Sequence, residues 1–544
     1  MIKIHPIIRK LLMQRGITED EDTEEFLSFA PKQAHDPFLL MNMKAGVDLI
    51  LSSVENKKKI CIYGDYDADG ITSTCILKIM LDSLGSDAGY YIPKRTEEGY
   101  GLNKNAVKKL RDAGTELLIT VDCGSNSYEE VEYAKDIGLE VIVTDHHNVS
   151  DRRADCIMIN PKQPECGYPF KSLAGCGVAF KMAQAIRDSA GLPKSLTNGL
   201  LDITAIGTVG DIVPLTGENR TLVKYGLYEI NKLNRPGIKK LSETVFPGGG
   251  KLGSDRIAYG IVPHLNAAGR MKDASAGVEL LLAEDDRRAG ILAEELAMYN
   301  RERKRLQEKT FGECLELAEE QCKGSLFPVI KDENAHEGIA GIVAGKLKDE
   351  WHRPVIILTP SDRYLKGTGR SIEKIDIFEV LDRHSELFQR FGGHQGACGF
   401  LMPEENLDAL RKYMNDEAER SLSLDPDLFR EEEVFDMDIG TGDITQELAE
   451  ELLLLEPFGC GNRKPVFRIK NAGITDPALM GAEGKHARFS AVSGSGRLNC
   501  VLFGKAEKYG DLIFEKKKAD IYGNIEINTW NHSKKIQFIV EDMI

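Results

Sequence analysis

The chain has 544 residues, 42% hydrophobic and 29% charged. This soluble globular balance excludes wholesale disorder, collagen and coiled coil and leaves room for about three to five domains. Lys and Arg number 70 against 86 Asp and Glu, a net charge of −16, so bulk charge will not hold a nucleic acid; a polyanion needs a local basic groove or metal ions. No apolar run approaches the roughly 18 residues of a membrane span. The opening MIKIHPIIRKLLMQRG breaks its apolar positions with basic residues and has no small-residue cleavage site, so it does not read as a secretory signal. The 11 cysteines form no C-x-x-C pair, which argues against a zinc ribbon and for reduced thiols in a cytoplasmic protein.

Residues 1–50 read as a helical lead-in, with the acids of ITEDEDTEEFLSF placed near a helix start. From Lys57 the pattern changes. KKICIYGDYDADG is a short β-rich run ending in an acidic, glycine-containing turn; ELLITVDCGS (116–125) and LEVIVTDHHN (139–148) repeat it, and CIMINP (156–161) is a fourth apolar run. Helical stretches at 106–113 and 128–137 separate the first three, which predicts a parallel α/β sheet with its ligands at the carboxyl ends of the strands. Residues 170–240 read as mainly helical, interrupted by LLDITAIGTVGDIVPL (200–215). A long charged helical pattern over 275–325 reads as a spacer helix with a solvated face. FPVIKDEN and PVIILTP then read as strands around the helix GIAGIVAGKLKDE. Residues 425–544 turn to short alternating runs with turn signals, an OB-like β-barrel. The fold class is therefore α/β: two α/β lobes joined by a long helix, plus a C-terminal barrel, divided at 1–50, 51–270, 271–325, 326–425 and 426–544.

The strongest chemical signal is a set of carboxylates and histidines at predicted strand ends: Asp65, Asp67 and Asp69 in GDYDADG, Asp122, then Asp145, His146 and His147, and finally Asp211 in GTVGDIVPL. Like charges held together raise one another's pKa unless a cation neutralises them. Oxygen ligands with some imidazole suit Mn²⁺ or Mg²⁺, and two such ions about 3.5–4 Å apart can activate water and stabilise charge on a phosphoryl group. A histidine beside a ligand histidine can donate to a phosphate oxygen or protonate the leaving group. A calcium loop of the EF-hand type fails, because its twelfth position counted from Asp65 is Ile76.

GDYDADG, VDCGS, TDHH and GTVGDIVPL resemble, in order and spacing, the four motifs of the DHH phosphoesterase superfamily. Within it the chain is similar to the RecJ single-strand-specific exonucleases over nearly its full length. The resemblance implies DHH and DHH-associated lobes followed by an OB-fold, and two metal ions, preferably manganese. The implied ligands are Asp67, Asp69, Asp122, His146 and Asp211, with Asp65 either a ligand or a carboxylate behind one. It also implies that Asp145 orients a ligand histidine and that His147 is the donor in the transition state. Many superfamily members carry a histidine four residues before the second motif aspartate; here it is Tyr63, which leaves Asp65 as the nearest substitute ligand.

The resemblance extends to substrate-facing segments. Arg95 in RTEEGYGLN resembles a residue that meets the terminal 5′ phosphate. HLNAAGRM offers Asn266 and Arg270 as backbone contacts. KGTGRS and FGGHQGACGF place Arg370, Ser371 and His394 in the associated lobe. RecJ sequences often have an aromatic residue just before the His-Glu-Gly of that lobe; here Asn334 and Ala335 stand there. In the barrel, Phe489, Phe503 and Trp530 are stacking candidates, and Lys464, Lys485, Arg488 and Arg497 supply local positive charge. The function implied is metal-dependent 5′→3′ hydrolysis of single-stranded DNA in repair and recombination, with a single-strand-binding protein and a helicase as partners and no membrane. The rivals are a DHH phosphodiesterase of short oligonucleotides or cyclic dinucleotides, and a non-catalytic replication scaffold.

Overall fold

The computed structural model describes residues 4–28, 33–95, 98–99, 101–430, 435–494, 496–530 and 533–544. Strands β1 (Ile60–Tyr63), β2 (Gly89–Tyr91), β3 (Leu117–Val121), β4 (Glu140–Thr144) and β5 (Ile157–Ile159) form an all-parallel sheet in the order β2-β1-β3-β4-β5. ICIY, LLITV and EVIVT are continuous apolar runs because both faces of this sheet are covered. Ile60 and Ile62 pack under the helices Ala68–Ser83 and Gly175–Ala190, while Cys61 and Tyr63 face the helices Lys104–Asp112 and Tyr128–Asp136. The chain leaves β1 toward β2 on one side and β3 on the other, so a crevice opens between the carboxyl ends of β1 and β3.

The stretch 200–215 does not interrupt the helical region; it contains the helix Leu201–Gly210. This helix is mainly apolar and buried on nearly every side, its Asp202 paired with Arg235, so it carries no amphipathic period. Gly207 allows its close approach, since a Cβ there would lie 2.2 Å from Thr72 Oγ1. Asp211 therefore caps a helix rather than ending a strand.

The charged segment breaks at Ala283 into the helices Ser275–Leu282 and Asp286–Gln321. The second sheet is mixed, in the order β6-β7-β8-β10-β9, with β6 (Val329–Lys331), β7 (Val355–Ser361), β8 (Tyr364–Arg370), β9 (Arg390–His394) and β10 (Ala397–Pro403). The two glycine-rich motifs are thus strands, not loops. A Cβ at Gly367 would meet the Phe400 ring at 2.1 Å, so the cross-strand aromatic fills the space of the missing side chain.

In the C-terminal domain β11 (Met437–Asp438) flanks a barrel of β12 (Phe467–Met480), β13 (His486–Ser493), β14 (Gly496–Leu502), β15 (Lys518–Trp530) and β16 (Ser533–Met543), closed by β12–β15 pairing and with β14 and β16 parallel. The N-terminal helix Pro6–Gln14 completes this domain: Ile8, Leu11 and Leu12 are buried with Phe467 and Phe538 in the barrel's core. Arg220 ties the barrel to the catalytic domain, donating to the carbonyls of Phe26 at 3.2 Å and Leu455 at 2.9 Å.

Candidate metal centre

The acidic turn after β1 is built by close backbone packing. A Cβ at Gly70 would lie 2.4 Å from the Asp65 carbonyl oxygen, so only glycine lets the helix start fold back here. Asp67 caps that helix, its Oδ1 accepting from the amides of Asp69 at 2.9 Å and Gly70 at 3.1 Å. Asp69 is buried, with Oδ2 accepting from Gly175 N at 2.6 Å and Oδ1 from Cys176 N at 2.9 Å. The amino end of the helix Gly175–Ala190 thus steadies its negative charge. Asp122 follows β3 with φ 60°, a conformation uncommon outside glycine but tolerated by Asp.

His146 Nε2 stands 3.1 Å from Asp122 Oδ1, 3.6 Å from Asp211 Oδ2 and 3.9 Å from Asp69 Oδ2. Asp65, Asp67 and Asp122 form a second group whose oxygens lie within 4.8 Å of one another. Both His146 nitrogens, Asp65 Oδ1 and Asp211 Oδ2 are buried without a hydrogen-bond partner among the described residues. Buried polar atoms normally find partners, and here the orphans converge. Burial, then neighbouring aspartates, raise Asp65 and Asp122 well above the carboxylate range and Asp211 to about 9. Burial also lowers His146, keeping its imidazole neutral as a ligand must be. This donor set, carboxylate oxygens with one imidazole, fits a hard divalent cation.

Asp145 does not orient the ring of His146, the expected ligand; it holds the ring of His147. Its Oδ1 accepts from the amides of His146 at 2.7 Å and His147 at 3.1 Å and lies 2.8 Å from His147 Nδ1, while Oδ2 accepts from Ser125 N at 2.9 Å. Burial alone would raise this carboxyl, but His147 and these hydrogen bonds hold it well below the usual range. Burial lowers His147 and Asp145 outweighs it, leaving the imidazole above its ordinary value. Tyr63 is buried, donates to the Gly101 carbonyl at 3.0 Å and is not part of the ligand cluster.

The DHH family N-terminal domain matches residues 59–208, the DHHA1 domain residues 323–420 and the RecJ OB domain residues 435–542. The single-stranded-DNA-specific exonuclease RecJ of Bacillus subtilis is 37% identical over 99% of this chain and 68% of its own length. Its Escherichia coli namesake is 32% identical over 99% of this chain and 96% of its own length. The chain belongs to the RecJ family. The crystal structure of RecJ from Thermus thermophilus in complex with Mn²⁺ superposes with a TM-score of 0.82 at 28% identity, covering 100% of this chain and 78% of that one. A Mg²⁺ complex of the same protein gives 0.76, with the same identity and 77% of that chain covered.

With the RecJ architecture in place, the residues expected to face substrate separate into two groups. Arg95 lies over the Tyr66 ring, 5.0 Å from its centroid, close enough to Asp65 for its charge to oppose, without reversing, the rise that burial imposes on that carboxyl. It also faces Arg270 and Arg370; burial first, then the Arg95 charge, lowers both. Arg270 reaches the second lobe, donating to the Gly338 carbonyl at 3.0 Å. Arg370, at the end of β8, passes over Gly341, where a Cβ would lie 3.2 Å from its Nη2. Three arginines from separate segments and two lobes thus gather beside the acidic cluster.

The others are engaged locally. Asn266 Oδ1 accepts from Ala68 N at 2.7 Å, holding the acidic turn. Ser371, just past the end of β8, is buried and its hydroxyl donates to the Ile375 carbonyl at 2.7 Å. His394 is exposed at the end of β9, its Nδ1 accepting from Gly396 N at 3.2 Å. In the barrel, Phe489 is buried in the core, since it points inward on β13, whereas Phe503 is exposed. Lys464 and Arg497 pair with Glu526 and Asp476, Lys485 pairs with Glu483, and Arg488 is exposed. The Trp530 side chain lies outside the described residues.

Sequence reasoning missed the amides of Ser125, Gly175 and Cys176, which position Asp145 and Asp69. It also missed Arg303 on the long helix, whose charge reaches Arg270. The small residues of LAGCGVAF were the one visible hint of a close approach.

Proposed function

We propose that the chain is a metal-dependent exonuclease that hydrolyses single-stranded DNA from the 5′ end, releasing mononucleotides. The observation that carries the reading is the gathering of Arg95, Arg270 and Arg370 beside the acidic cluster. Arg95 repels both of the other guanidiniums, a grouping suited to an anion, and their planar forks match phosphate. Placed next to the metal centre, they bind the terminal 5′ phosphate and seat the next phosphodiester over the carboxylates.

Asp65, Asp67, Asp69, Asp122, His146 and Asp211 would hold two divalent ions, Mn²⁺ by preference with Mg²⁺ as a substitute, and these would supply positive charge at the scissile phosphate and acidify water. Asp145 fixes His147 through Nδ1, leaving Nε2 as the atom that donates a proton to the leaving oxygen. Asp69 keeps its orientation through the Gly175 and Cys176 amides. The barrel, matched by the RecJ OB domain, holds the following single strand. A role in DNA repair and recombination, a cytoplasmic location, and a single-strand-binding protein and a helicase as partners belong to the same reading. Among the described residues no helix is long and apolar enough to cross a membrane.

The test offers long single strands, duplexes, short oligonucleotides and cyclic dinucleotides side by side with Mn²⁺. Long single strands are degraded fastest if the reading holds. Cleavage confined to the small substrates overturns it in favour of a compact phosphodiesterase, and binding without any cleavage favours a scaffold.

A further inference from the structure

A cavity of about 1070 Å³ lies between the catalytic domain and the barrel. It continues from the metal centre, for Asn266 and Arg270 line it, and so does Ile212, the residue after the ligand Asp211. Arg303 from the long helix adds positive charge to its wall, beside the barrel's Lys464, which is paired with Glu526. Two apolar side chains stand out in this setting. Tyr259 is 87% exposed and Ile212 is 72% exposed.

Both are held there by the backbone. Tyr259 sits on a single π-helical turn, Ile257–Ile261, whose widening is marked by the Val262 N–H bonding back to the Ile257 carbonyl. Pro263 has no N–H to give the Tyr259 carbonyl, which removes the α-helical alternative at that point. Gly260 faces inward, where a Cβ would lie 2.2 Å from the Phe246 ring, so its neighbour Tyr259 is turned into the cavity. Ile212 has φ 60°, a true outlier for a β-branched residue, and such strain gathers at functional sites. Neither side chain contributes to the buried core, and the reaction at the metals does not use them.

We propose that Tyr259, with Ile212 lining the same cavity, is a base-stacking platform for the nucleotides that follow the scissile one. The occupant is the single strand, since the cavity adjoins the metal centre, carries the guanidiniums of Arg270 and Arg303 for phosphates, and offers an aromatic face to a base. This rests on the proposed function and adds the section of strand binding that lies beyond the cut.

Tyr259→Ala, Tyr259→Phe and wild type are compared on a length series of single strands from the trinucleotide upward. Tyr259→Ala raises KM about tenfold on long strands and leaves the shortest cleavable strand unaffected, and Tyr259→Phe behaves as wild type. Ile212→Asn, which tolerates the left-handed backbone, shifts KM in the same direction. In chelator, 2-aminopurine placed at successive positions from the 5′ end is quenched at one position by wild type and the Phe variant and stays bright with the Ala variant. An unchanged KM on long strands, an equal loss on short ones, or no position-specific change in 2-aminopurine emission overturns the platform. If wild type cuts nothing, the proposed function fails, while the metal-free 2-aminopurine titration still decides the role of Tyr259.

Discussion

Asp145 Oδ1 lies 2.8 Å from Nδ1 of His147 while also accepting the His147 amide at 3.1 Å. One carboxylate oxygen therefore fixes both the backbone and the ring of the neighbouring histidine, and sets which nitrogen faces the cleft. The same oxygen accepts the His146 amide, so the two neighbouring histidines share one anchor.

Asp145→Asn keeps the shape but removes the charge that favours protonated His147. Turnover with Mn²⁺ is expected to fall about 100-fold, with metal affinity changed less than about tenfold. Steady-state rates over a Mn²⁺ titration check this. A variant that lost affinity and kept its saturated rate would make Asp145 a ligand instead.

Burial and mutual repulsion raise Asp65 and Asp122, and bring Asp211 to about 9, whereas unfolded aspartates titrate near about 3.9. The folded, metal-free protein thus holds more protons than the unfolded chain. The stability these protons confer is complete below about pH 4 and is lost as the pH climbs toward about 9. In chelator, Tm is expected to fall between about pH 6 and about pH 9. Mn²⁺ must displace those protons, so its affinity rises over the same window and the fall in Tm shrinks. Thermal melts with and without the ion decide it; a metal-free Tm that rises with pH contradicts the cluster.

In the proposed function Arg95 meets the terminal phosphate. Arg95→Ala is expected to lower kcat/KM for 5′-phosphorylated strands about tenfold or more and to leave 5′-hydroxyl strands nearly unchanged. Arg95→Lys restores little, since the planar fork and its contact with Tyr66 are lost. Competition between the two kinds of strand end measures the preference directly.

Arg220 is buried and spans three parts of the chain, donating to Phe26 and Leu455 and covering the Phe26 ring at 3.8 Å. Arg220→Ala leaves these carbonyls unsatisfied and is expected to cost about 3 kcal/mol, with the barrel unfolding ahead of the catalytic domain in calorimetry. A loss below about 0.5 kcal/mol would show that the clamp is dispensable.

The parts legible in the sequence were those where the local pattern and the tertiary setting agree. ICIY, LLITV and EVIVT are β-branched runs in a sheet covered on both faces, and their carboxyl ends carry Asp65, Asp122 and Asp145 together. Asp211 was recognisable as a motif aspartate, yet its helix was hidden because a mainly apolar helix buried on nearly every side has no period. β8, β9 and β10 were hidden because glycine signals a loop unless a cross-strand ring such as Phe400 occupies its space. Phe489 and Phe503 are alike in composition and opposite in burial, a matter of which way each points from the barrel. The docking of Ile8 and Leu12 into that barrel joins residues from opposite ends of the chain, beyond any local signal.

The central claim is that the carboxylate cluster drives 5′-end hydrolysis of single strands, and Asp122→Asn tests it most directly. Asn tolerates the left-handed backbone at this position, so the fold is kept while the charge between the two ligand groups is removed. Single strands labelled at the 5′ end are followed with Mn²⁺ and with chelator. Wild type is expected to release labelled mononucleotide from the first time point only with the ion, and Asp122→Asn to release about a thousandfold less. Release unaffected by chelator or by Asp122→Asn, or label retained on shortening strands, would contradict the account.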